Sequence, residues 1–112
     1  MWRIDPAARH VECGSSPSCG VFANGFTSIV DITFDNDGGL YVVEIDENSW
    51  ITVEGLGTPA GGTVNRCRPS GLRCIPIATG LPIPTSVALQ RGHIYATINA
   101  LIPGEATVTR IV

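Results

Sequence analysis

No stretch of this chain approaches the roughly 20 consecutive apolar residues that cross a bilayer as a helix, so a helical membrane span is excluded. The opening Met1-Trp2-Arg3-Ile4-Asp5-Pro6 also lacks the basic and apolar regions of a secretory leader, so an export signal is expected only outside this segment. Charge is scarce at 15%, the net value is −3 and the Arg residues are dispersed. That leaves no basic footprint for a phosphate backbone or an anionic lipid surface, and nucleic acid is not an expected partner. Strong helix formers do not accumulate in any window, which argues against long helices.

What is present fits a globular β protein. The chain has 112 residues, 44% of them hydrophobic, which is the range of one ordinary domain. Thirteen Gly and eight Pro break it into many short elements joined by turns. All-β is therefore the expected class.

The four cysteines fall as two local pairs, Cys13 with Cys19 and Cys67 with Cys74. An even count at short spacing favours local disulfides in an oxidising compartment. The competing readings are buried or free thiols and a zinc site, although zinc sites use tighter spacings with further Cys or His. His10 and His93 form no pattern with these cysteines. Cys67 and Cys74 flank Arg68-Pro69-Ser70-Gly71-Leu72-Arg73, a hairpin tip that would place them opposite one another. Such short loops would stabilise by only about 2 kcal/mol each.

An internal repeat organises the rest. Gly25 to Val42 matches Gly80 to Ala96 with one deletion in the turn, so that Ile32 pairs with Val87, Phe34 with Leu89 and Tyr41 with Tyr95. Arg3-Ile4-Asp5-Pro6 corresponds to Arg66-Cys67-Arg68-Pro69, and Thr109-Arg110-Ile111 opens the same unit again. Ile29 to Phe34 and Leu40 to Ile45 read as strands around the turn Asp35-Asn36-Asp37-Gly38-Gly39, and Gly62 to Cys67 and Leu72 to Ala78 read as the next hairpin. The unit is a four-stranded antiparallel meander of about 45 to 60 residues, the size of a propeller blade. A single small sandwich or barrel is the alternative. On the blade reading, residues 1–24 are outer strands of one blade, 25–79 a complete blade and 80–112 three strands of the next. That is about two blades of the roughly four to eight a propeller needs, so a β-propeller fragment is expected. Its uncovered faces would be met by the remaining blades or by self-association, for instance as a trimer.

These same residues carry a family resemblance. The run Gly25 to Asp35, then Leu40-Tyr41-Val42-Val43-Glu44-Ile45, Gly80 to Ala88 and the closing Val108-Thr109-Arg110-Ile111 together resemble the C-terminal third of the ScyD/ScyE family. Those bacterial proteins are similar to NHL-type and gluconolactonase-type six-bladed propellers and are commonly exported. The resemblance implies a propeller fold and an extracellular or periplasmic location more than any reaction. The chain departs from the family in lacking most of the blades and in its cysteines.

Candidate sites are the polar breaks in apolar strands. Asp31, with Ser86 as its repeat partner, and Glu44, with Ile98 as partner and Asn99 beside it, are candidates to hold a ligand or a divalent cation such as Ca²⁺ through oxygen ligands. The competing reading makes Asp31 a backbone partner and Glu44 a solvated strand end. Asp35-Asn36-Asp37-Gly38 followed by Glu44 matches part of a calcium loop, but no flanking helices are expected and a β-turn fits better. No G-x-S-x-G is present and neither histidine has a nucleophile partner, so covalent catalysis finds no support. The loop from Asp46 to Leu56 carries Trp50, which either contacts a partner, small molecule or glycan or folds back on its own sheet. The leading expectation is thus an exported binding module, and the rival is part of a lactonase-like enzyme with an axial divalent metal.

Overall fold

The structure, a computed structural model, describes residues 1–71 and 73–112; Leu72, expected from the sequence to open a strand, lies outside the described residues. Among the described residues nine strands form three antiparallel sheets. Strands β1 (Trp2–Ile4) and β2 (Cys19–Val21) make a two-stranded sheet. Strands β3 (Ile29–Phe34), β4 (Leu40–Glu44), β5 (Gly62–Cys67) and β6 (Cys74–Leu81) make a four-stranded meander. Strands β7 (Ser86–Gln90), β8 (His93–Ile98) and β9 (Thr107–Arg110) make a three-stranded one. The single helical turn among the described residues is α1 (Trp50–Val53), inside the segment expected to be a loop. The chain is therefore mostly rather than wholly β.

The turn chemistry explains the β3–β4 hairpin. Asp35 Oδ1 accepts from the backbone N–H of Asp37 at 2.9 Å and of Gly39 at 2.7 Å, while Gly38 takes φ 82°. The carboxylate thus replaces backbone partners at the tightest point of the chain, and Gly supplies the left-handed residue. The β5–β6 hairpin is held differently. Cys67 and Cys74 are direct register partners and are joined by a disulfide, with Cα atoms 3.9 Å apart. The second disulfide, Cys13–Cys19, ties the long β1–β2 connection to the first residue of β2. Both cysteine pairs expected from spacing are closed, and two disulfides point to an oxidising environment. Pro76 sits on β6, where a residue without an N–H is tolerated because β6 is an edge strand.

The four-stranded sheet is covered on both faces along β4, which is why Leu40-Tyr41-Val42-Val43 is apolar without alternation. Tyr41, Val43 and Val64 on one face pack with Val87, Ile94 and Ala96 of the three-stranded sheet. Leu40, Val42 and Cys67 on the other pack with Met1, Phe22 and Phe26 from the β1–β2 side. Complete burial of such a side chain stabilises by about 1.5–3 kcal/mol. The repeat is expressed in this packing. Val87, Leu89, Ile94 and Ala96 meet the four-stranded sheet, and their repeat equivalents Ile32, Phe34, Leu40 and Val42 form the opposite, front face of that sheet. Only the outer half of that front face is covered. Ile32 remains 45% exposed and Phe34 60% exposed.

Candidate functional site

The residues with the densest polar organisation lie where β4 ends and β5 begins. Glu44 closes β4 and is 3% exposed, which corrects the reading of it as a solvated strand end. Its Oε1 accepts from the backbone N–H groups of Thr27 and Ser28, and its Oε2 accepts from Asn65 Nδ2 at 3.0 Å. Thr63 donates its hydroxyl to Glu47 Oε1 at 2.7 Å and accepts from the Asn65 amide at 3.1 Å. Glu44 therefore fixes the chain entering β3 to the middle of the sheet. An open cleft beside it is bordered by Asn24, Glu44, Glu47, Thr63, Asn65 and Thr79.

Two residues further on, Asp46 builds the loop. Its Oδ1 accepts from the N–H of Asn48 at 2.8 Å, the hydroxyl of Thr52 at 3.1 Å and the N–H of Ala60 at 3.2 Å, and its Oδ2 accepts from the N–H of Gly61 at 2.9 Å. Burial pushes the Asp46 carboxyl up, but these four donors outweigh it and hold the group below the ordinary carboxylate value. One carboxylate thus clamps both ends of the 46–61 segment. Within the segment Ser49 caps α1, and Asn48 Nδ2 bonds the carbonyl of Thr58 at 2.9 Å. The Ser49 side chain accepts from the N–H of Ile51 to cap the start of the helix, and its propagation stops at Gly55, φ 91°.

The clamp presents an apolar tip. Trp50 is 43% exposed, with its indole Nε1 bonded to Glu54 Oε1 at 2.8 Å, and Ile51 and Leu56 are exposed beside it in sequence. Trp50 thus stands on α1 with part of its ring in solvent and its indole N–H held by Glu54 of the same segment.

The other candidates are dispersed. Asp31, at a bulge in β3, accepts from its neighbour's N–H at Ile32 through Oδ1, 2.9 Å, and from the N–H of Val87 through Oδ2, 2.9 Å. The second bond staples the four-stranded sheet to the edge of β7. Asn99 occupies the turn after β8 with φ 53°, its N–H bonded to the carbonyl of Pro82 at 2.7 Å. Among the described residues no group of three or more His, Cys, Asp or Glu has the geometry to hold a metal ion.

At the opposite end of the sheet Arg66 joins Tyr41 and Asp35. Arg66 Nε donates to Tyr41 Oη at 3.0 Å with the guanidinium 5.7 Å from the ring centre, and Nη2 lies 3.3 Å from Asp35 Oδ2. For Asp35, burial acts upward, and the Gly39 and Asp37 N–H groups with Arg66 more than offset it, so its carboxyl also lies below the ordinary value. This cluster is the repeat's Arg–Tyr cross-strand pair, Tyr41 opposite Arg66, and it recurs in register as Tyr95 opposite Arg110.

Sequence reasoning singled out Glu44 and Trp50 but missed Asp46, Thr63 and Asn65. The spacing Asp46-x-Asn48-Ser49 before an apolar pair is a helix-entry signal that marks Asp46 and Ser49. Nothing local marks Thr63 and Asn65, whose roles depend on register with β4. Compared with protein-family models, curated proteins and solved structures, the chain finds no match.

Proposed function

We propose that this chain is an exported β-propeller module of the ScyD/ScyE kind, a binding module that offers the Trp50 tip of its 46–61 loop to a small molecule or glycan. The observation that carries the binding role is the Asp46 clamp: a single buried carboxylate fixes both ends of a loop whose tip leaves Trp50, Ile51 and Leu56 to solvent. A half-exposed indole held on a pre-organised loop loses little conformational entropy when it stacks on a sugar ring. The propeller reading draws support from the meander order β3-β4-β5-β6 and from the repeat-equivalent packing of the next sheet on it. Export is supported by the two disulfides. A binding role is favoured over the lactonase-like alternative because the carboxylates of Glu44 and Asp31 face backbone N–H groups that order the sheets.

The test uses indole emission in a Trp2→Phe background, which leaves Trp50 as the sole reporter. Neutral oligosaccharides such as cellohexaose and maltoheptaose are expected to shift its emission saturably. Read by isothermal titration calorimetry, Trp50→Ala is expected to weaken binding by at least about tenfold, while its unfolding free energy in urea stays within about 1 kcal/mol of wild type because the side chain is half exposed. Binding of such ligands by Trp50→Ala with unchanged affinity contradicts the role of the tip.

A further inference from the structure

Two surfaces of the chain remain open, and they are the two halves of a junction the chain already makes once. Between the four- and three-stranded sheets, the front face of one, with Val87, Ile94 and Ala96, lies on the back face of the other, with Tyr41, Val43 and Val64. The equivalent front face on β3–β4 leaves Ile32 and Phe34 exposed next to Trp2, itself 49% exposed. The equivalent back face on β7–β9 carries Tyr95, Thr97 and Val108, of which Val108 is 71% exposed.

The free edge of β1 adds a register. Arg3 is the repeat counterpart of Arg66 and Arg110, and each of those stands opposite a tyrosine on the preceding strand, Tyr41 and Tyr95. Arg3 has β2 on one side, with Gly20 as its partner, and among the described residues no strand on the other; its guanidinium lies 5.9 Å from the Phe22 ring centre. The missing neighbour is therefore a strand that brings a tyrosine opposite Arg3, on a hairpin whose outward face suits Ile32 and Phe34. The chain's only two tyrosines are Tyr41, whose face is already covered, and Tyr95, whose face is open.

We propose that β1 and the uncovered side of β3–β4 dock the β7–β8 hairpin of a second copy of this chain, with Tyr95 of that copy opposite Arg3. The proposal rests on the repeat reading given above. Because β1 and β9 are equivalent third strands, they compete for the same edge of β8. Docking in trans releases the copy's own β9, and β7–β8 of one copy with β1–β2 of the next completes a four-stranded sheet. Exchange of equivalent strands is inexpensive because the hydrogen bonds lost are re-formed. The gain is the cover over Ile32 and Phe34 and the removal of an open edge. The interface is head-to-tail, so it closes as a ring when the rotation permits, and three copies with two sheets each give six.

Sedimentation velocity on the full chain reads the outcome. Wild type is expected to pass from the 11.8 kDa chain mass to three times that value as concentration rises. Arg3→Ala removes an interaction made at the docked edge and is expected to raise the half-association concentration about tenfold. Arg110→Ala loosens β9, the competitor, and is expected to lower it. A wild type that stays at chain mass, or two variants that shift together or not at all, overturns the proposal. Amide hydrogen exchange on the same samples separates the two possible failures. Protected β4 and β5 amides in a strict monomer remove the docking and leave the stacked sheets standing, whereas unprotected amides remove the fold on which both rest.

Discussion

Glu44→Ala is expected to lower the stability of the chain by about 4 kcal/mol. The substitution removes the acceptor for the N–H groups of Thr27 and Ser28 and for the Asn65 amide, all gathered around a side chain 3% exposed. Unmade hydrogen bonds of this kind cost about 1–3 kcal/mol each when water cannot replace the acceptor. Glu44→Gln keeps the volume and one oxygen, so it should lose about half as much, through a donor now facing another donor. Urea denaturation followed by far-UV circular dichroism measures both. If Glu44→Ala unfolds within about 1 kcal/mol of wild type, Glu44 is not the anchor described here.

The second large effect is expected at Gly62, the first residue of β5. This residue lies where the backbone of Glu44 and the ring of Pro84 converge, and a Cβ placed on it would approach both more closely than real Cβ atoms do. The neighbour on one side is backbone, and on the other a proline ring in the β6–β7 connection, so neither can swing away. Gly62→Ala is expected to cost about 3 kcal/mol or more. It should also open the junction between the four- and three-stranded sheets, because Pro84 leads directly into β7. Heteronuclear NMR provides the check: shift changes should spread from β5 into β7. Full wild-type stability in Gly62→Ala would show that the approach of Pro84 is looser than the structure has it.

Much of the β framework is legible in local residues. The apolar run Ile29 to Phe34, the Asp35 to Gly39 turn and the strand beginning at Leu40 are each marked by composition, and β3 and β4 lie there. The cysteine spacing located both disulfides, since a hairpin tip of six residues sets Cys67 against Cys74. The end of β6 was harder to place. The strand expected to end at Ala78 continues through Gly80 to Leu81, because bulges accommodate the extra residues. The helical turn at Trp50 escaped because four residues carry no helical period; it depends on Ser49 and on the Asp46 clamp.

The candidate site was less legible than the fold, for a physical reason. Glu44 and Asp31 stand out in sequence as charges among apolar residues, but their partners lie far away in the chain: Thr27, Ser28 and Asn65 for Glu44, and Val87 for Asp31. Whether an isolated carboxylate on a strand meets solvent, a ligand or backbone is decided by what the register and the neighbouring sheet bring to it. Asp46 illustrates the same point, since three of its four donors come from the far end of a loop or from a helix one turn long.

The central claim is that repeat-equivalent sheets stack front to back, with Val87, Ile94 and Ala96 laid on Tyr41, Val43 and Val64. A ¹³C-edited NOESY spectrum of the full chain tests it most directly. The account predicts cross-peaks from the Tyr41 ring and the Val43 and Val64 methyls to the methyls of Val87 and Ile94. Cross-peaks of Val87 and Ile94 within one chain to Ile32 and Phe34 instead, or no inter-sheet contact at all, would contradict it.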